Sequence, residues 1–182
     1  MAKQKLIAII IICSVLVTGT VGGVVAYMIK ISELETGGFA PAKVSCKLEE
    51  TFDANQNQKS KIMVTNDNSN SNIDVFVRVR LVTYWVDASG NVINKAPAPI
   101  SFTLGDDWIK LGDTNTYYYK TPLAVGTKTS DLLNGQKLTL KSEDGCRQVI
   151  DVFAEAIQAN PAEAAQSSWG VTVTNNQITA VQ

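Results

Sequence analysis

The residues best suited to chemistry in this sequence are four charges on two long alternating segments. Arg78 and Arg80 lie on one; Asp151 and Glu155 share a face of the other. Two carboxylates on one strand face are a minimal acid/base pair. The competing account is electrostatic: the carboxylates neutralise the two guanidinium groups across neighbouring strands, as cross-strand charges do. The chain contains no histidine, which removes the commonest general base and metal ligand together. The charge-cluster reading is therefore favoured, and no enzymatic activity is expected.

Other constellations are weaker. Asp67, Ser69 and Ser71 are spaced like the first ligands of a calcium loop, but the sixth-position glycine and the closing bidentate glutamate are missing. They read as a solvated loop, and neither a metal nor another cofactor is expected. Trp85, Trp108, Trp169 and the run Tyr117-Tyr118-Tyr119 are either a sugar-stacking platform or core; strand positions favour core. Lys and Asn side chains raise an internal isopeptide bond, but no triad is identifiable. There is no nucleotide-binding glycine loop, Ser nucleophile elbow or LPxTG-type signal.

Cys46 and Cys146 are the two cysteines outside the N-terminal apolar run, which holds Cys13. In an oxidising space they either pair, closing a loop of roughly 100 residues worth about 4 kcal/mol, or stand as two separate buried thiols.

The elements that carry these residues are short strands. Residues 74–86 alternate most clearly. Val75, Val77, Val79, Leu81, Thr83 and Trp85 form a core face, while Phe76, Arg78, Arg80, Val82 and Tyr84 form a partly covered one. Residues 148–158 alternate in the same way. Shorter strands are predicted near 44–50, 61–65, 92–93, 106–111, 117–121 and 138–140. Turns are predicted at 87–91, 112–115 and 143–145. The one helical signal starts at Pro161, with Asn160 as its N-cap. A last hairpin is predicted over 169–181. Closely spaced strands with one brief helix describe an all-β antiparallel sandwich over residues 39–182.

The sequence begins with Lys3 and Lys5, then runs from Leu6 to Met28 without a charge. Such a run spans a bilayer, and the preceding lysines place the N-terminus inside and the remainder outside. The strongly apolar stretch, residues 6–17, has signal-peptide length, and Val24-Val25-Ala26 suits a peptidase. Cleavage between Ala26 and Tyr27 is favoured, with an uncut anchor to about residue 29 as the rival. Residues 27–38 then form a flexible polar segment ending in Gly37-Gly38. Removing the leader shifts the formal charge from −1 to about −3, which offers no footprint for nucleic acid or anionic lipid. The membrane is met only through the leader.

These features together carry a resemblance. The leader ending Gly22-Gly23-Val24-Val25-Ala26-Tyr27 resembles those cut by the endoplasmic-reticulum-type signal peptidase of Gram-positive bacteria. Its clients include the TasA/camelysin-type biofilm matrix proteins. Residues 39–50, the segment Ile62-Met63-Val64-Thr65-Asn66, then Val75-Phe76-Val77-Arg78-Val79-Arg80 with Trp85, resemble the N-x-G-x-x-x-A-Y-V-R-V stretch of such surface proteins. Residues 151–159 followed by Ser168-Trp169-Gly170 resemble their C-terminal signature. The chain departs from the pattern by lacking acidic residues just after the cut and by having Cys46 and Cys146.

The resemblance implies a jelly-roll-like sandwich that assembles with copies of itself into extracellular fibres. Each subunit donates its N-terminal strand to the next. Residues 27–36 are the candidate donor, with Tyr27, Ile29 and Ile31 as its apolar row. The expected location is secreted, in the extracellular matrix or at the cell surface after passage through the plasma membrane. The expected partners are the signal peptidase during export and other copies of the chain. The alternative function is a membrane-tethered or secreted binding or adhesion module. A camelysin-type protease lacks support, since there is no histidine and no nucleophile constellation.

Overall fold

Alternation of apolar and polar residues settles the longest elements. The computed structural model describes residues 42–181, so the leader and the candidate donor residues lie outside the described residues. The strands are β1 (Cys46–Asp53), β2 (Gln58–Asn66), β3 (Val75–Val86), β4 (Val92–Ile93), β5 (Trp108–Lys110), β6 (Thr116–Tyr119), β7 (Leu138–Thr139), β8 (Ser142–Glu143) and β9 (Cys146–Gln158). The helix α1 (Glu163–Trp169) and the strands β10 (Val171–Thr174) and β11 (Gln177–Val181) follow. The pairing is antiparallel throughout. One sheet runs β1-β2-β7, a second runs β5-β6-β3-β9-β8 with β4 added to β3, and β10-β11 is a separate ribbon.

β3 and β9 form the spine. They pair over their lengths, from Val75 opposite Gln158 to Val86 opposite Arg147. Val75, Val77, Val79, Leu81 and Trp85 of β3 are buried. They pack with Ile62 and Val64 of β2 and with Leu123, Leu132, Leu133, Leu138 and Leu140 from the connections. Each buried Val or Leu side chain contributes about 1.5–3 kcal/mol relative to exposure. This core fills the space between the two larger sheets, so the fold is an all-β sandwich.

The other face of the spine is covered over half its length. Phe76 and Tyr118 pack there under Ala165 of α1, Val171 of β10 and Ile178 of β11. Further along, Arg80 and Val82 are exposed and Tyr84 is half-buried. The partial covering expected from the mixed sequence of this face is thus a division into a covered end and an open end.

The turn signals perform well. Gly90 and Gly145 have φ of 86° and 74°, and each lies between strands that pair as hairpins. The helix differs from expectation at its start. Ala164 N–H donates to the Pro161 carbonyl at 3.2 Å, a tight turn that precedes the helix. α1 therefore begins at Glu163 with Ala162 at its N-cap and no side-chain cap, and Asn160 does not cap it. Gly170, in the left-handed region, closes it by donating to the Gln166 carbonyl. Among the described residues no helix is long and apolar enough to cross a membrane.

Candidate functional site

The four charges divide. Arg78 stands directly opposite Glu155 in the β3–β9 register, with Nη2 2.6 Å from Oε2. The guanidinium also lies 4.8 Å from the centroid of the Trp169 ring, which tilts against Tyr118. Arg80 stands opposite Phe153, and Asp151 opposite Val82. The cluster is thus one ion pair with two charges beside it, because register sets Arg80 and Asp151 two places apart. Asp151 instead acts on Tyr84. Burial raises the Tyr84 pKa first, and the charge and hydrogen bond of Asp151 raise it further.

The two cysteines are free thiols. Cys46 feels the charges of Glu155 and Asp67, near the end of the spine opposite Cys146. Glu155 lies nine residues from Cys146 along β9, which is roughly 30 Å of strand. A disulfide needs Cα atoms within about 7 Å, so pairing of Cys46 with Cys146 within one chain is excluded by register. Burial pushes the Cys46 thiol up to about 11.

The loop after β2 is closed by its own residues. Lys47 Nζ lies 2.8 Å from Asp67 Oδ1, Asn70 Nδ2 donates to Oδ2 at 2.8 Å, and Ser69 N–H donates to Oδ1. These donors hold the Asp67 carboxyl down at about 2, with Lys47 the largest cause. The aromatic residues are packing elements: Trp85, Trp108, Tyr117 and Tyr118 are buried. Among the described residues no cluster of acidic or thiol side chains is arranged to hold a metal ion.

The most distinctive feature is the outer edge of β9. Gln148 N–H donates to the Lys141 carbonyl at 2.8 Å, on the side away from β3. In an antiparallel strand this orientation recurs every second residue. Ile150, Val152, Ala154 and Ala156 therefore also turn their amides and carbonyls outward. Their side chains face the core, opposite Thr83, Leu81, Val79 and Val77. β8 reaches only Arg147 and Cys146.

β1 is the edge strand of the facing sheet and runs alongside β9. Val44, Cys46 and Leu48, with Val152, Ala154 and Ala156, pack only partly buried against the core. Among the described residues β1 and β9 do not pair, so no ladder closes the seam between them, and the small side chains of Ala154 and Ala156 line it.

One end of this edge is capped by side chains. Asn57 Nδ2 donates to the Gln148 carbonyl at 3.3 Å. Lys59 Nζ donates to the Ile150 carbonyl at 2.8 Å and pairs with Glu50 Oε2 at 3.0 Å. Lys59 is only 6% exposed. Among the described residues no backbone hydrogen bond reaches the outward groups of Val152, Ala154 or Ala156.

Sequence reasoning missed these caps. Counting back by two from Ile62 places Ser60 inside and Lys59 outside. The pairing shifts between Glu49 and Thr51, and Lys61 has φ of 56°. That bulge adds one residue to β2 and turns Lys59 inward. The only available signal was a lysine beside a short apolar strand.

Comparison with protein-family models, with curated proteins and with solved structures finds no match to the chain.

Proposed function

We propose that this protein is an exported structural subunit of an extracellular fibre or biofilm matrix, and that subunits join by strand addition. Residues 27–36 of one copy, freed by cleavage after Ala26, complete the outer edge of β9 in the next. The observation that carries this reading is the row Val152, Ala154 and Ala156. Its backbone groups face outward where no described strand pairs, and its side chains pack partly buried against the core. Such an edge is a template for an extended segment.

The charge-free run of residues 6–28 supports export. The alternation of Tyr27, Ile29 and Ile31 suits a strand with one face on a core. The jelly-roll connection of the sandwich, the signal peptidase as processing partner and self-assembly belong to the same reading. So do the extracellular location and the lack of any catalytic role or cofactor.

Negative-stain microscopy of protein beginning at Tyr27 tests it. Fibres are expected, and protein beginning at Gly37 should remain a folded monomer. Fibres that persist without residues 27–36 overturn strand donation. A mature protein that stays monomeric overturns the fibre reading in favour of a tethered binding module.

A further inference from the structure

We propose that Asn57 and Lys59 are edge caps that confine strand addition on β9 to residues 152–158 and so give the incoming strand a single register. The inference rests on the strand-addition reading and deepens it.

The outward carbonyls of β9 fall into two groups. Gln148 receives a side-chain donor from Asn57, just before β2, at 3.3 Å, and Ile150 one from Lys59, within it, at 2.8 Å. From Val152 onward no described strand pairs on that side and no described backbone group bonds to these carbonyls. The division falls between adjacent outward positions and is therefore sharp.

Lys59 is suited to mark it. Its ammonium donates to Ile150 as a neighbouring strand's N–H would, but it has no acceptor with which to continue a ladder. It is nearly enclosed and is held by Glu50 at 3.0 Å. A strand extended past Val152 would have to displace this ammonium and leave a buried charge poorly paired, which is strongly unfavourable. Strand pairing alone specifies register weakly where side chains are small, and Ala154 and Ala156 are small. A fixed stop supplies what those alanines do not. The open edge of residues 152–158 is roughly 20 Å long, enough for the alternating row Tyr27, Ile29 and Ile31.

The test is disulfide cross-linking between copies in fibres of protein beginning at Tyr27, with Cys46 and Cys146 replaced by serine. One cysteine is placed in the donor by Ile29→Cys. A second is placed on the acceptor by Ile150→Cys, Val152→Cys, Ala154→Cys or Ala156→Cys, one at a time. With Lys59 present, one acceptor position among 152, 154 and 156 should cross-link at least about ten-fold better than every other, position 150 included, as a single register requires. Lys59→Met should spread the cross-links until position 150 comes within about two-fold of the best site, while Lys59→Arg, which keeps the donor, should restore the single site.

Equal cross-linking at 150 and 154 with Lys59 intact overturns the proposal, and needs no variant at Lys59. An unchanged single register in Lys59→Met fibres overturns it as well. Absence of fibres from the starting protein overturns the strand-addition reading itself, which is a different result from fibres without register.

Discussion

Arg78 and Glu155 face each other across the two longest strands, and the Arg78 guanidinium is clamped between that carboxylate and the Trp169 ring. One side chain thereby joins the central sheet to the C-terminal helix that covers it. The two contacts differ in value. The Glu155 side chain is 41% exposed and that of Arg78 is 16% exposed, so water screens the ion pair more than the stacking. Glu155→Gln should cost no more than about 0.5 kcal/mol. Arg78→Ala should cost about 2 kcal/mol, because the stem and the ring contact are lost as well. Urea midpoints at constant slope measure both. Equal costs would show that the ion pair, not the packing, does the holding.

Acid should loosen the loop after β2. The Asp67 carboxyl is held at about 2, against an ordinary value of 3.8. A lowered folded-state value adds stability that is complete above the ordinary value and disappears as pH falls through the lowered one. Stability should therefore drop between about pH 4 and pH 2. Asp67→Asn should flatten the curve in that window. Urea midpoints at several pH values for both proteins check it; parallel curves would contradict the assignment.

The thiols should react unequally. Burial, then the charges of Glu155 and Asp67, push Cys46 up to about 11, so its thiolate fraction at pH 8 is about one in a thousand. Cys146 sits beside the exposed turn at Gly145, with its Sγ near the Asp144 carbonyl. Iodoacetamide at pH 8 should label Cys146 at least about ten-fold faster, read by peptide mapping. Neither residue should appear in a disulfide-linked peptide joining the two. A Cys46–Cys146 peptide from oxidised monomer would refute the register described here.

Gly105 should tolerate no side chain. A Cβ there would collide with the Asp131 carbonyl and lie 3.1 Å from Cδ1 of Trp108. Gly105 also donates to the Leu132 carbonyl and accepts from Trp108 N–H. Gly105→Ala should cost at least about 2 kcal/mol, since backbone must move. Thermal unfolding followed by tryptophan fluorescence reads the loss. A midpoint unchanged within error would mean that this connection yields freely.

Much of the sandwich could be read from residue patterns, for identifiable reasons. β3 is long and keeps strict alternation, so its buried row of Val75, Val77, Val79, Leu81 and Trp85 could be named residue by residue; β9 carries apolar residues on both faces and was legible only as a long strand. The sequence offered Arg78 and Arg80 together as partners for Asp151 and Glu155, and only the β3–β9 register sets Arg78 opposite Glu155. Three features could not be read that way. The Lys61 bulge reverses the alternation of β2 and hides Lys59 from any periodic count. The fate of Cys46 depends on which end of β9 it meets, a register that no local pattern encodes. The start of α1 turns on a tight bend at Pro161 in place of the expected cap at Asn160. Local chemistry specified elements; long-range pairing specified which of their ends met.

The two-sided character of β9 also gives it an isotopic signature. Its odd-numbered amides bond to β3 and should retain protium for as long as the sheet stays closed, whereas the amides of Val152, Ala154 and Ala156 point away and should take up deuterium near the rate of free peptide. The strand is thus a comb whose alternate teeth exchange on different clocks. Any segment that settles on this edge must slow the fast teeth and leave the slow ones as they were, so the time course of labelling would count the occupied positions one by one.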